Sequence, residues 1–412
     1  MWVLCLRDVG LSFIVKTIVT FATTSEQLPD TPDARAYNRI RRRLSILDFL
    51  LGLAFLLALL FAVTPRGARW SEVLRDWAWL AARQHYALAV FLYVAMLLLI
   101  GKLLGLGLDF YSFRLEHRYN LSNQKLRSWI WDQVKGWLVG LVLGGIVAEL
   151  IYWTIRQAPQ RWWLIAWAVF IALSVFFAQI APVVLFPLFY KFQPLENDDL
   201  RERLLRLSKR AGTRVRGVYE WKLSEKSNKA NAALTGLGRT RRIILADTLL
   251  ENYSPEEIES VLAHELGHHV HRHIVKGILV QVVIAFFGFW ATAAVLRYAV
   301  EQRHLFETLS DFANLPLLAL VSTVMSLLLM PALNAYSRYN ERQADLYCFE
   351  SIPDVAPFIS SMEKLAQQNL AERRPSRFVE WLFHSHPAIW RRIRAAERFR
   401  RQPPNLRPVA PP

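Results

Sequence analysis

Residues 44–63 read LSILDFLLGLAFLLALLFAV, an apolar stretch whose only charged residue is Asp48. A helix needs about 20 apolar residues to cross the ~30 Å hydrocarbon core of a bilayer, so this stretch predicts a membrane-spanning helix. Five further stretches of similar length lie at about 87–108, 136–155, 162–182, 275–298 and 315–335. Buried helices of a large soluble protein are the alternative, but most of the stretches are bounded by Trp, Arg or Lys, which is typical of membrane helices. The sequence therefore predicts a polytopic membrane protein with six spans.

The composition agrees with a membrane protein. The chain has 412 residues, of which 53% are hydrophobic, and a formal net charge of +16. Such a charge fits nucleic acid or a membrane surface as a partner. The basic residues flank the spans and are not interleaved with aromatics in a polar domain, so we predict a lipid bilayer and no nucleic acid as partner. Two cysteines, Cys5 and Cys348, exclude a disulfide framework. Nothing in the sequence indicates the oligomeric state.

The distribution of arginine predicts the orientation in the membrane. Five arginines precede the first span, at Arg35, Arg39, Arg41, Arg42 and Arg43. The positive-inside rule places this side in the cytoplasm, and six spans return the chain to the same side, where six arginines lie between residues 391 and 401. The loop 64–86, predicted to be outside, breaks the rule with four arginines. We expect the bacterial inner membrane, or the endoplasmic reticulum if the host is eukaryotic.

Changes in composition predict six regions along the chain. They are an N-terminal extension with its basic flank (1–43), spans one to four (44–190), a polar domain (191–273), spans five and six (274–335), C-terminal helices (336–402) and a disordered tail (403–412). Within the extension, residues 9–22 are apolar but contain Lys16, and they fit a poor signal sequence, a weak span or an upstream extension equally. Residues 23–34 predict a polar linker.

The polar domain predicts a mixture of helices and short strands. Helical spacing marks 197–211, and strand patterns occur at 217–223, 231–236 and 241–247. A second helix is expected to start at Ser254, which with Glu257 forms a capping box, and to run through residue 273 into the fifth span. The fold class is therefore mainly α, a membrane helix bundle with a small α+β domain.

This second helix carries a metal-binding motif, His264-Glu265-Leu266-Gly267-His268. Residues four apart share one helix face, so both imidazoles can bind the same ion. Neutral imidazole suits Zn²⁺, and a catalytic zinc needs three protein ligands with one position open for water. Glu265 stands beside the first ligand, where it can take a proton from that water. The alternative is two surface histidines on a polar helix. We read His269 and His271 as surface residues.

A third ligand must lie on the same side of the membrane as the motif. Two further spans bring the chain back to Glu341 and Asp345, which are four residues apart and share a helix face. Glu341 can bind the metal, and Asp345 can accept the free N–H of a ligand histidine. The alternative is a pair of solvated acids beside Arg338 and Arg342.

In these motifs and in several other segments the chain resembles the type I CAAX prenyl endopeptidases, which are integral-membrane zinc proteases. The other segments are Phe113–Asn120, Ile180–Pro182, Phe192–Leu195, Asn231–Gly236, Arg242–Leu250 and Ser385–Pro387 with Arg392. They occur in one order with consistent spacing, and the resemblance covers roughly residues 85–395. The better-known members of the family have seven spans, one more than we predict here.

The resemblance implies a site and an activity. It implies one Zn²⁺ per chain, held by His264, His268 and Glu341. It implies catalytic roles for Glu265, Asp345 and His386, and substrate-binding roles for Asn231 and Arg392. It also implies a chamber enclosed by the membrane helices, with the active site at its cytoplasmic end. His384, in the same segment as His386, is an alternative candidate for the role of His386.

The function that follows is an integral-membrane zinc metalloendopeptidase that cleaves a peptide or protein substrate with zinc-activated water. The resemblance implies cleavage near the C-terminus of prenylated CAAX proteins. One alternative is a quality-control protease for membrane proteins without prenyl preference. Another is a non-enzymatic zinc-binding membrane protein, against which stands Glu265 beside the ligands.

Overall fold

The N-terminal half of the protein is a series of long helices. The computed structural model describes residues 30–236 and 240–402, so the predictions for residues 9–22 and 403–412 lie outside the described residues. The first helices are α1 (Pro32–Phe61), α2 (Trp70–Ala81), α3 (Tyr86–Arg118), α4 (Leu126–Gln157) and α5 (Trp162–Ile180). Helix α5 continues as a π turn at Ala181–Leu185, where Pro182 removes a helical N–H.

Helix α1 begins earlier than the sequence predicts. Thr31 caps it, because its hydroxyl accepts a hydrogen bond of 3.1 Å from the N–H of Ala34. The predicted linker 23–34 is therefore wrong for its last three residues, which already form the first turn. The arginine cluster thus lies on the first helix itself, as a helical extension of the first span.

Helix α2 lies in the 64–86 loop and was not predicted. Its Arg75 forms an ion pair of 2.7 Å with Asp311, from the loop between the last two spans. Arg69, just before the helix, lies 4.8 Å from the centre of the Phe306 ring. These two arginines therefore connect the 64–86 loop with the loop between the last two spans. This contact gives a structural reason for basic residues on a side where the positive-inside rule does not expect them.

A small mixed domain follows α5. Its elements are β1 (Phe192–Pro194), α6 (Asp198–Arg210), β2 (Val218–Trp221), β3 (Ala232–Thr235), β4 (Arg242–Ala246), α7 (Asp247–Asn252) and α8 (Pro255–Val270). The sheet order is β1-β2-β4-β3, with β2 and β4 parallel and the other pairs antiparallel. The expected strands and the capping box at Ser254 and Glu257 are confirmed. Strand β1 was not predicted as a strand.

The motif helix does not run into the fifth span as predicted. Helix α8 ends at Val270, and Arg272 adopts a left-handed conformation with φ +56° before α9 (His273–Glu301) begins. A left-handed residue cannot continue a right-handed helix, so the chain turns here. The prediction of one helix through residue 273 is wrong.

The C-terminal part contains the longest helix and three short ones. They are α10 (Leu315–Ser351), α11 (Ala356–Gln368), α12 (Arg377–Phe383) and α13 (Ile389–Arg401). Helix α10 extends beyond its apolar part into the mixed domain, where Tyr347, Cys348 and Phe349 join the hydrophobic core formed by the sheet and α8. One helix therefore connects the membrane part to the domain.

Six helices are long and apolar enough to cross a membrane, which confirms the predicted number of spans within the described residues. Each packs against two neighbours, in the closed order α1, α3, α4, α5, α9, α10 and back to α1. This ring encloses a chamber. The mixed domain lies at the end of the ring where α9 begins and α10 ends.

A buried ion pair fastens the mixed domain to the membrane helices. The amine of Lys229, just before β3, lies 2.9 Å from a carboxylate oxygen of Glu116 at the end of α3, and the hydroxyl of Tyr37 on α1 donates to the other oxygen. The side chain of Lys229 is only 2% exposed. Burial lowers the pKa of Lys229 to about 7, against the attraction of Glu116.

We expect Lys229→Met to destabilise the protein by about 3–5 kcal/mol, since loss of one partner leaves the Glu116 carboxylate buried without its counter-charge. The measurement is the thermal unfolding midpoint in detergent. Lys191→Met is the matched control, because Lys191 is 74% exposed in its pair with Glu225 and such pairs contribute little. Equal midpoints for the two variants would contradict the anchoring role.

Candidate active site

The site forms where α8 crosses α10, and a glycine permits the crossing. A Cβ atom at Gly267 would lie 2.8 Å from the Cα of Ala344 and 3.0 Å from its carbonyl oxygen. These are backbone atoms that cannot move aside as a flexible side chain can. Glycine within the motif therefore allows the close contact that brings Glu341 beside the two histidines.

His264, His268 and Glu341 form a cluster of possible metal ligands. The Nε2 atoms of the histidines are 3.3 Å apart, and each lies 3.4 Å from a carboxylate oxygen of Glu341. Ligands held tetrahedrally at 2.0–2.1 Å from zinc would be about 3.3 Å apart. The Oε2 atom of Glu341 is buried and has no hydrogen-bond partner among the described residues. The spacing and the unsatisfied oxygen both fit a bound zinc ion.

His264 is oriented from behind by Asp345. The Nδ1 atom of His264 lies 2.9 Å from Oδ1 of Asp345, so it donates its N–H there and leaves Nε2 free as a ligand. Burial and the positive charge of Arg392 act to lower the pKa of His264, but the nearby carboxylates of Asp345 and Glu341 raise it to about 9. A metal ion and a proton compete for the lone pair of Nε2, so metal binding at this histidine is expected to weaken as the pH falls.

Arg392 holds Asp345 in turn. Its guanidinium donates two hydrogen bonds to the carboxylate, of 2.6 and 2.9 Å. Burial acts to lower the pKa of Arg392, yet the negative charge of Asp345 raises the pKa of Arg392 above its usual value. Arg392 lies 4.0 Å from Glu341. Its predicted contact with substrate stays a prediction, since in the structure its guanidinium faces Asp345.

His268 has a partner that sequence reasoning missed. Its Nδ1 lies 3.0 Å from Nδ1 of His273, the buried first residue of α9. The sequence offers a signal, since a histidine follows His268 by five residues, but only the break at Arg272 turns it back towards the motif. The expectation that His269 and His271 are surface residues is wrong: both are half-buried. His269 lies 3.5 Å from the carbonyl oxygen of Leu234, and His271 stacks on His273.

Glu265 follows the first histidine on α8 and is half-buried. No hydrogen bond or ion pair joins its carboxylate to another of the residues in 30–236 and 240–402. A carboxylate in this state can accept a proton from a water molecule beside the cluster.

The Ser385-His386-Pro387 segment lies between α12 and α13 and reaches the same cluster. The Nε2 of His386 is 3.3 Å from a carboxylate oxygen of Glu341. His384, the alternative candidate, uses its carbonyl oxygen to accept a hydrogen bond from Arg338. The structure therefore brings His386 to the ligands through its side chain.

Strand β3 lies at one edge of the sheet with a free side. On its other side it pairs with β4, and just before β3 the carbonyl oxygen of Asn231 accepts a hydrogen bond of 2.8 Å from the N–H of Ala246 in β4. In an antiparallel pair alternate residues point their backbone groups outward, here Ala232 and Leu234. The Leu234 carbonyl faces His269 on the motif helix. The free edge thus runs beside the cluster, with the exposed Asn231 at its start.

Two family models together match most of the chain. The model of peptidase family M48 matches residues 194–400, and the model described as CAAX prenyl protease N-terminal, five membrane helices, matches residues 27–191. The second range contains the five helices α1 to α5, of which α2 is too short to span a membrane.

Curated relatives and a solved structure agree with these matches. The chain is 34% identical to the Uncharacterized metalloprotease YhfN of Bacillus subtilis, over 76% of this chain and 74% of that protein. It is 28% identical to CAAX prenyl protease 1 homolog of Arabidopsis thaliana, over 69% of this chain and 68% of the relative. The crystal structure of Ste24p from S. mikatae has the same fold, with a TM-score of 0.75 at 23% identity over 88% of this chain and 87% of that one.

These matches confirm the family resemblance read from the motifs, and the six apolar helices mark an integral membrane protein. Both motifs and the mixed domain, apart from the first two residues of β1, lie within the M48 match. The chain therefore belongs to peptidase family M48 and is a membrane metalloprotease of that family.

Proposed function

We propose that this protein is a zinc metalloendopeptidase in which one zinc ion per chain is held by His264, His268 and Glu341. The observation that carries the proposal is the spacing of 3.3–3.4 Å among their ligand atoms. Glu265, the proposed base, directly follows the ligand His264 on the same helix. Family membership favours a protease over the non-enzymatic alternative.

The residues around the metal divide the chemistry of hydrolysis among them. Bound zinc would polarise a carbonyl and lower the pKa of water towards ~7. Glu265 takes the proton of the attacking water and returns it to the leaving nitrogen. His386 lies where it can donate to the oxygen of the developing tetrahedral centre. Asp345 fixes the ring of His264 and is itself held by Arg392.

The free edge of β3 supports an extended substrate. The outward N–H and C=O groups of Ala232 and the N–H of Leu234 can pair with the backbone of a peptide, as in strand addition to a sheet edge. The Leu234 carbonyl already faces His269, which a substrate would have to displace or share. Such pairing involves mainly backbone groups, so it does not by itself select a substrate sequence. Asn231, at the start of the edge, is a candidate for a side-chain contact with the substrate. The peptide then passes His269 and reaches the cluster.

Cleavage near the C-terminus of prenylated CAAX proteins is the activity we propose in detail. The printed names of several relatives, including the homologue from Arabidopsis thaliana, are those of CAAX prenyl proteases. A chamber inside a ring of apolar helices suits a substrate with an attached hydrocarbon chain. The side of the membrane is also part of the proposal: the arginine-rich start of α1 is linked to the domain end through the Arg42–Glu372 ion pair, which supports a cytoplasmic active site.

We expect detergent-purified protein to contain about one zinc per chain and to cleave a farnesylated CAAX peptide at least tenfold faster, in kcat/KM, than its unprenylated twin. Burial of only two CH₂ groups, at ~0.8 kcal/mol each, corresponds to about tenfold. Equal rates would support the quality-control alternative. Zinc without cleavage of either peptide would contradict the proposed CAAX activity and direct the search to other membrane substrates.

A further inference from the structure

Resting on the zinc site proposed above, we propose that His273 and Gln343 are positioning residues that determine whether His268 can bind the metal. They do so by fixing which nitrogen of the His268 ring carries the proton. Neither residue belongs to the ligand set or to the predicted catalytic residues.

The two residues form a chain of hydrogen bonds behind His268. Nδ1 of His268 lies 3.0 Å from Nδ1 of His273, and Nε2 of His273 lies 2.9 Å from Oε1 of Gln343. The amide nitrogen of Gln343 lies 3.3 Å from the hydroxyl of Tyr339, one turn earlier on α10. The chain thus runs from the metal-facing ring on α8, through the first residue of α9, to α10.

Such a chain has two possible directions, because a neutral imidazole has one donor and one acceptor nitrogen. If Gln343 accepts from Nε2 of His273, then Nδ1 of His273 is bare and accepts from Nδ1–H of His268. The Nε2 atom of His268 then has a free lone pair for the metal. In the reverse direction the amide of Gln343 donates to Nε2 of His273, and both imidazole rings adopt the other neutral tautomer. Nε2 of His268 then carries a hydrogen, which prevents it from binding the metal.

The other ligand histidine lacks this ambiguity. Asp345 is a carboxylate, which only accepts, and it lies nearer to Nδ1 of His264, at 2.9 Å, than the Arg392 guanidinium does, at 3.3 Å. A neutral His264 therefore donates from Nδ1 and keeps Nε2 bare. The two ligand histidines therefore differ. His264 is oriented by a carboxylate that only accepts, whereas His268 is oriented by neutral groups whose hydrogen bonds can have either direction. The side chain of Gln343 decides the direction.

We expect two substitutions of Gln343 to change the zinc affinity in opposite directions. Gln343→Glu supplies a group that only accepts, so we expect zinc to bind severalfold more tightly than to wild type. Gln343→Leu removes the acceptor, and we expect weaker binding. His273→Leu removes the partner of His268 altogether and should weaken binding by about 10–100-fold, the usual effect of losing a residue that orients a metal ligand. His273→Asn places an amide oxygen near the position of Nδ1 and should restore most of the loss.

The experiment is competition for zinc between the metal-free full-length protein in detergent and a chelating dye. Visible absorption of the cobalt-substituted protein reports the ligand geometry independently of activity. His271→Asn is the matched control, since His271 lies at the same helix junction and stacks on His273 without a described hydrogen bond to it, and it should bind zinc as wild type does. The unfolding midpoint of each metal-free variant checks that the fold is intact.

Three outcomes decide the matter. The opposite shifts of the two Gln343 variants, with rescue by His273→Asn, would support the relay, because the added charge of Gln343→Glu alone accounts neither for weaker binding in Gln343→Leu nor for the rescue. Equal zinc affinity in wild type and His273→Leu would overturn the relay while leaving the zinc peptidase intact. Failure of the wild type itself to bind zinc would overturn the proposed function and the relay together.

Discussion

The Glu265→Gln variant is expected to keep its zinc and to lose peptide hydrolysis. Glutamine has the shape of glutamate but cannot accept the proton of the attacking water, and general base catalysis of this kind contributes about 10²–10⁴-fold. Glu265 is not in the ligand cluster, so the metal affinity should change little. The measurements are zinc content and single-turnover cleavage of the farnesylated peptide.

Glu256→Gln is a suitable control for this variant. Glu256 lies in the first turn of the same helix, where it pairs with Arg203 at the surface, and its substitution should leave both zinc and activity unchanged. If Glu265→Gln kept more than about a tenth of the wild-type rate, Glu265 would not be the base. If it lost zinc, its role would be in holding the site together.

Replacing Glu341 by alanine is expected to empty the metal site. Glu341 is the third ligand of the proposed site, and its side chain is only 7% exposed. The loss of affinity should exceed the ~10–100-fold that follows removal of a residue which only orients a ligand. Asp345→Asn should fall within that smaller range, because it weakens the orientation of His264 and leaves all three ligands.

Comparing the loss of zinc affinity in Glu341→Ala and Asp345→Asn distinguishes a metal ligand from a residue that orients a ligand. Zinc content after dialysis against a weak chelator measures both, with Glu202→Gln on the surface of α6 as the control, since Glu202 is 68% exposed. Activity should follow zinc content in each variant. Retention of zinc by Glu341→Ala would show that the metal, if bound, has a different third ligand.

The sequence predicted the parts of this protein whose signals are local. Six long apolar stretches are spans because of their length and composition alone. Likewise, Ser254 and Glu257 start α8 through contacts within one turn. The His264–His268 spacing and the Glu341–Asp345 pair also follow from helix geometry, and the structure brings the side chains of these residues together.

The parts that it missed depend on distant contacts. Helix α2 pairs with a distant loop through Arg75 and Asp311, more than two hundred residues apart. It also carries local signals that the prediction did not use, the capping-box contact of Glu72 with the backbone N–H of Arg69 and buried residues at helical spacing. The turn at Arg272 has no glycine or proline to mark it, although its left-handed conformation is unfavourable for a residue with a side chain. His273 could be recognised only once that turn was known.

Helix α10 has a consequence that reaches from the lipid to the metal. Its 37 residues correspond to about 55 Å and form one helix, with Pro331 in its interior, from the far end of the ring to Glu341, Gln343 and Asp345. A bilayer that is too thick or too thin is accommodated by helix tilt. Tilting α10 would move the third ligand and both orienting groups relative to α8 in a single motion. We therefore expect zinc retention to change with bilayer thickness, which zinc content in vesicles of short-chain and long-chain lipids would measure.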